Sequence, residues 1–168
     1  MVVVLILLAA ASRLLPHAPN FTPVAAIGLF AGALLGRRSA WAVTLAAMLL
    51  SDAFIGFYHP VSMLWNYAGV GVSLLLGSGL LAARRTPVRL GAATLASSAA
   101  FFLLSNFGMW AAGYYPRTLA GLGACYTAGL PFLRNTILSD AFYVAVLFGA
   151  AAALRAVWPA RPAETSRA

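Results

Sequence analysis

Long apolar segments, separated by short stretches that carry most of the arginines, limit how this chain can fold more than any other feature. A helix needs about 20 apolar residues to cross the hydrocarbon core of a bilayer. Six segments approach or reach that length, and the first two are short: residues 1–15, 22–35, 40–57, 61–82, 90–112 and 132–157. We therefore predict an all-α integral membrane protein, with one six-helix bundle over residues 1–158 and a short cytoplasmic tail at 159–168.

The composition excludes soluble classes of protein. Of the 168 residues, 62% are hydrophobic and only 8% are charged, whereas soluble domains carry about 25% charged residues. The net charge is +8, and all 11 basic residues are arginine. In a soluble protein this charge would suggest nucleic-acid binding. Because the arginines flank apolar segments, they indicate membrane topology instead, and no nucleic-acid partner is expected.

The arginines also predict an orientation. Eight of the 11 follow the second segment, the fourth segment or the middle of the sixth, and cytoplasmic loops of membrane proteins are rich in arginine and lysine. Placing these eight inside puts both termini in the cytoplasm and leaves Arg13, Arg117 and Arg134 near the outer face. The eight are Arg37, Arg38, Arg84, Arg85, Arg89, Arg155, Arg161 and Arg167.

On this topology the remaining polar side chains gather in the outer half of the bundle. Those that we expect to face a binding site include Asn20, Asn66, Asn106, Tyr126 and Asn135. Three further residues are candidate metal or cofactor ligands because they carry imidazole or thiol groups near the same face: His17, His59 and Cys125. Loop histidines and a single cysteine are also common without any such role, and the identity of a metal or cofactor stays open.

A repeated pentapeptide places two carboxylates at similar depth. Leu-Ser-Asp-Ala-Phe occurs at residues 50–54 and again at 138–142. By helical rise, Asp52 and Asp140 both lie about 10–14 Å below the outer boundary. A charged side chain there costs about 2.5–3.5 kcal/mol. Two interpretations remain open: the carboxylates bridge helices by hydrogen bonds, with Arg117 or Arg134 neutralising one of them, or they handle a ligand or proton.

Glycines and prolines suggest a long outer connection and close helix packing. Residues 113–131 contain four glycines and two prolines, and we predict that they fold back over the mouth of the bundle as a cap. Gly28, Gly32 and Gly36 form a small-residue stripe in the second segment. Such a stripe serves either packing inside the bundle or docking to a partner subunit.

Several kinds of chemistry have no motif in the sequence. There is no phosphate-binding P-loop, no H-E-x-x-H and no C-x-x-C, so any ATP-driven activity requires partner proteins. No serine is marked as a nucleophile by its neighbours, and no catalytic residue is assigned. We therefore expect that the chain is not an enzyme.

Four segments carry a resemblance that covers nearly the whole chain. They are residues 17–23 (HAPNFTP), 105–108 (SNFG), 115–121 (YPRTLAG) and 132–136 (FLRNT). These resemble an uncharacterised family of bacterial membrane transport proteins, a domain of unknown function. That family is in turn similar, in size and helix count, to the substrate-binding S components of energy-coupling factor (ECF) transporters. The resemblance implies a bacterial inner-membrane protein that binds a small molecule near the outer face and docks on a transmembrane coupling subunit and its ATPases.

The sequence thus predicts a substrate-binding component of a vitamin or cofactor uptake transporter. The predicted site walls are Asn20, Asp52, Asn66, Asn106, Arg117, Tyr126, Asn135 and Asp140, with Arg117 pairing any anionic group of the ligand. One alternative is an accessory subunit of a larger photosynthetic or respiratory complex that binds lipid or pigment. Another is a membrane-embedded enzyme that uses Asp52 and Asp140 as acid and base.

Overall fold

Across residues 1–157, which the computed structural model describes, the regular secondary structure is entirely helical. Four helices are long and apolar enough to cross a membrane, and two shorter apolar helices precede them. This confirms the prediction of an all-helical chain with two short and four long apolar helices. The predicted tail at 159–168 lies outside the described residues. The helices are α1 (Val2–Ser12), α2 (Val24–Leu34), α3 (Arg37–Ile55), α4 (Pro60–Leu76, continued by a π-helical turn over Gly77–Leu81), α5 (Pro87–Ala111) and α6 (Leu119–Val157).

The short helix α2 forms the centre of the bundle. All of its residues except Leu34 are buried, and it contacts every other helix. Glycine makes this close packing possible: a Cβ at Gly32 would overlap the carbonyl group of Leu74, and a Cβ at Gly77 would overlap that of Leu29. Gly28 and Gly32 of the predicted stripe therefore pack inside the bundle and are not available to a partner subunit, whereas Gly36 lies beyond the end of α2 and is exposed.

Side chains from other elements cap both ends of α2. Its N-cap residue, Pro23, makes no side-chain cap, but the Asp140 carboxylate of α6 faces the backbone N–H of Ala26 in the first turn of α2. At the other end, Arg85 Nη2 donates to the carbonyl oxygen of Ala33 at 2.8 Å. A buried helix end needs such partners. An acid at the N-terminus and a base at the C-terminus also complement the helix dipole, by about 0.3–1 kcal/mol each.

The connection before α6 is much shorter than predicted. Helix α6 begins at Leu119 and runs for 39 residues through Pro131, which is about 57 Å at 1.5 Å per residue. The prediction of a cap over 113–131 was therefore wrong. A helical glycine costs only about 1 kcal/mol relative to alanine, and contacts with α5 offset that cost. Tyr126 donates to the carbonyl oxygen of Leu103 at 2.8 Å, for example.

Candidate ligand-binding cavity

A cavity of about 470 Å³ opens at the end of the bundle where α3 ends and α4 begins. Residues 13–22 lie over it, and α3, α4, α5 and α6 form its walls. Phe101, Phe132 and Met109 contribute apolar surface. The polar side chains are Arg13, His17, Asn20, Thr22, Tyr58, Asn66, Ser105, Asn106, Tyr115 and Cys125. We call this space the polar cavity.

A buried ion pair supports the wall of the polar cavity. Arg13 follows the last residue of α1, and its Nη2 lies 2.7 Å from Asp52 Oδ1 on α3. The Asp52 side chain is 1% exposed and that of Arg13 is 11% exposed. Tyr67 donates its hydroxyl proton to Asp52 Oδ2 at 2.7 Å, and Ser51 accepts from Arg13 Nη1. Both carboxylate oxygens of Asp52 thus have partners, and its charge is balanced within the protein.

A second pair of side chains forms the wall contributed by α4. Asn66 Nδ2 donates to the hydroxyl oxygen of Tyr58 at 2.7 Å. Burial raises the pKa of Tyr58, an effect only partly offset by the hydrogen bond from Asn66. The phenol therefore stays protonated well above neutral pH, and its own proton is available to a ligand acceptor.

On the opposite wall, α5 and α6 are joined at Asn106 and Cys125. Asn106 Nδ2 donates to the carbonyl oxygen of Phe102 at 2.9 Å, and Cys125 Sγ donates to the backbone oxygen of Asn106 at 3.2 Å. The buried Cys125 thiol fits against α5 as a small apolar group with one weak hydrogen bond.

Both copies of the repeated pentapeptide form hydrogen bonds with the segment that joins α1 to α2. Ser51 and Asp52 hold Arg13, where α1 ends. Ser139 donates to the carbonyl oxygen of Thr22 at 2.7 Å, while Asp140 accepts from the Ser98 hydroxyl at 2.6 Å and faces the backbone N–H of Ala26. Together they fix both ends of the segment 13–23 that covers the polar cavity.

Five of the side chains singled out from the sequence line the polar cavity together: His17, Asn20, Asn66, Asn106 and Cys125. Asp52 lies behind the wall and reaches it only through Arg13. Among the described residues, no three His, Cys, Asp or Glu side chains are grouped so that they could hold a metal ion.

The other predicted site residues lie outside the cavity lining, and each has a local partner. His59 Nδ1 accepts from the backbone N–H of Val61 at the start of α4. Arg117 donates to the carbonyl oxygen of Ala111 at 3.1 Å, so it caps the end of α5. Tyr126 bonds Leu103, and Asn135 Nδ2 donates to the carbonyl oxygen of Pro19 at 3.0 Å. Asp140 caps α2, as described above.

The partner of Asp52 is Arg13, not Arg117 or Arg134. Sequence reasoning placed Arg13 at the outer boundary and overlooked it as a partner. The signal was present, because an arginine at the end of an apolar segment in so charge-poor a chain must find an acid or reach water. Tyr58 and Tyr115 were also missed as wall residues. Tyr58 belongs to no motif, and Tyr115 was noted only as part of the segment 115–121 that carries the family resemblance.

An all-helical fold with several membrane-length helices and a polar cavity at one end defines the class: a multi-pass membrane protein. The chain belongs to a family of unknown function, DUF6580, whose model matches residues 1–161. No match to the chain was found among curated proteins or among solved structures.

Proposed function

We propose that the chain is the substrate-binding membrane component of an uptake transporter for small polar molecules, which it captures in the polar cavity. The cavity volume of about 470 Å³ lies within the range of about 300–1,000 Å³ that is typical of small-molecule sites. The observation that carries the proposal is the convergence of amide, hydroxyl and aromatic side chains from four helices and the segment 13–22 on this one space.

The charges of the wall support an uncharged or zwitterionic ligand of vitamin or cofactor type. Asp52 already balances Arg13, and Arg117 lies outside the lining. Asn66, Asn106 and Tyr58 offer donors and acceptors to amide, carbonyl or hydroxyl groups, and Phe101 and Phe132 offer faces to a ring. The wall therefore selects a ligand by the hydrogen-bonding groups of that ligand more than by its net charge.

The remainder of the proposal follows from topology. With the eight arginines inside, the six apolar segments pass through the inner membrane of a bacterium, and the 11-residue helices α1 and α2 do so together with the residues that flank them. Both termini are then cytoplasmic, and the polar cavity opens to the outside. The sequence holds no ATP-binding motif, so energy for uptake comes from a separate transmembrane coupling subunit and its ATPases. Such an arrangement resembles the ECF transporters.

Mass spectrometry of small molecules released from the purified chain tests this function. We expect a defined molecule at near one equivalent per chain, and at least a tenfold loss of it in Asn66→Ala and Asn106→Ala, because each loses a wall amide worth about 1.4 kcal/mol or more. The control is Tyr126→Phe, which removes a hydroxyl outside the lining.

Two results of that experiment would contradict the proposal. The first is a folded wild-type chain that releases no small molecule when purified from cells grown in rich medium. The second is equal retention in all three variants. Recovery of the chain only within a large pigment- or haem-containing assembly would instead favour the accessory-subunit alternative.

A further inference from the structure

A second space, distinct from the polar cavity, runs between α5 and α6 at the other end of the bundle. It is an open groove of about 720 Å³ with walls that are almost wholly apolar, including Leu90, Leu95, Val144 and Phe148. Along α6 its lining extends from Ile137 to Arg155, which is about 27 Å by helical rise. That is nearly the thickness of the hydrocarbon core, about 30 Å.

Positive charge is concentrated at one end of this groove. Arg85 and Arg155 both line it. The pKa of Arg85 is lowered, mainly by burial and also by the positive charge of Arg155. In the part of the chain that the structure describes, both acids, Asp52 and Asp140, are buried with other partners. Two guanidinium groups therefore line this end of the groove, and no carboxylate from residues 1–157 balances their charge there.

This arrangement matches the form of one kind of ligand. An anionic phospholipid has a phosphate that pairs with arginine and acyl chains that pack on apolar side chains. Among the described lining residues, Thr94 is the only polar one besides the two arginines, and its hydroxyl already donates to the carbonyl oxygen of Leu90 at 2.7 Å. Charge at one end and hydrocarbon along the rest favour the lipid.

We propose that the groove between α5 and α6 is a specific binding site for an anionic phospholipid, with its phosphate at Arg85 and Arg155 and an acyl chain along α6. Because Arg85 also bonds the carbonyl oxygen of Ala33 at the end of α2, a bound phosphate would share this arginine with the end of the central helix. This site is independent of small-molecule capture in the polar cavity.

Two variants separate the headgroup from the acyl chain. Arg155→Gln removes one charge and leaves the Arg85 cap on α2 intact. Gly149→Leu places a side chain into the groove, and a Cβ at Gly149 meets nothing within 4 Å, so the helix tolerates it. The matched controls are Arg117→Gln, at the opposite end of the bundle, and Gly123→Leu, on the same helix, also in open space and outside the groove.

The measurement is native mass spectrometry of the full chain in detergent, titrated with phosphatidylglycerol or phosphatidylcholine of the same acyl chains. We expect wild type to retain phosphatidylglycerol at least fivefold better than phosphatidylcholine. Arg155→Gln should lose about fivefold of that preference, which corresponds to about 1 kcal/mol per arginine. Gly149→Leu should reduce retention of both lipids, and the two controls should behave as wild type.

Equal retention of the two lipids by wild type would overturn the site. So would an unchanged preference in Arg155→Gln together with unchanged retention in Gly149→Leu. Helical content and melting temperature, measured on each variant, identify a loss of lipid that is caused by misfolding. Release of a small molecule from the polar cavity is read in the same spectra, so failure of one proposal is distinguishable from failure of the other.

Discussion

Breaking the ion pair between Arg13 and Asp52 is expected to be among the most damaging single changes in this chain. Asp52 is 1% exposed, and its partners are Arg13 and the Tyr67 hydroxyl. Removing one member of a buried pair costs about 3–5 kcal/mol, because the other charge stays buried and unbalanced. The Arg13 side chain keeps 11% exposure, so some water reaches it, and we expect about 3 kcal/mol for Arg13→Leu and for Asp52→Asn.

The double variant Arg13→Leu/Asp52→Asn should cost less than the sum of the two single changes. With both charges removed, no unbalanced charge is buried, and the introduced amide oxygen still accepts from Tyr67, so the expected cost is about 1–2 kcal/mol. The assay is unfolding in mixed micelles with increasing sodium dodecyl sulfate, followed by circular dichroism. Arg84→Leu serves as a control, because that arginine is exposed and its replacement should change stability by less than about 0.5 kcal/mol.

Two outcomes would refute this reasoning. Single variants that each cost less than about 1 kcal/mol would show that the charges are well solvated. A double variant that costs the full sum would show that the residues do not act as a pair.

Three further predictions concern packing and capping, and the same unfolding assay checks the first two. Asp140→Ala should cost about 1–2 kcal/mol because it leaves the Ser98 hydroxyl without its acceptor and the first turn of α2 without a carboxylate, whereas Asp140→Asn should cost less because the amide oxygen still accepts from Ser98; equal costs would contradict this role. Gly32→Ala should destabilise by about 1–3 kcal/mol because its Cβ meets backbone, whereas Gly91→Ala, in open space on α5, should be neutral or stabilise by up to about 1 kcal/mol. Cys125, 1% exposed, should react with a maleimide far more slowly in the folded chain than after unfolding, and equal rates would argue against the buried position.

The presence of the six helices could be predicted from the sequence because each contains a long apolar run. Apolar runs bounded by arginine or proline indicated the approximate bounds of α3, α4 and α5. The start of α6 could not be found this way. The first 13 residues of α6 include Gly121, Gly123, Gly129 and Pro131, and local propensity favours a loop there. Contacts with α5 decide in favour of a helix, and a single sequence does not reveal them.

The candidate site could be predicted in outline but not in its pairings. The enrichment of polar residues toward one face correctly brought together Asn20, Asn66 and Asn106. Asp52 and Asp140 stood out because acids are so scarce. Their hydrogen-bond partners, however, come from the residue that follows α1, from α4 and from α5, and sequence spacing says nothing about contacts between distant helices. The bridging interpretation fits the hydrogen bonds that both carboxylates make.

The central claim, that the polar cavity holds a small molecule, is tested most directly by filling that cavity without removing any polar group. Ala128 lines it, so Ala128→Phe should occupy the space, while Ala124→Phe, one turn earlier on α6 and outside the lining, is the matched control. We predict that mass spectrometry finds about one equivalent of a released small molecule in wild type and in Ala124→Phe, and almost none in a folded Ala128→Phe. Equal release from both variants would contradict it.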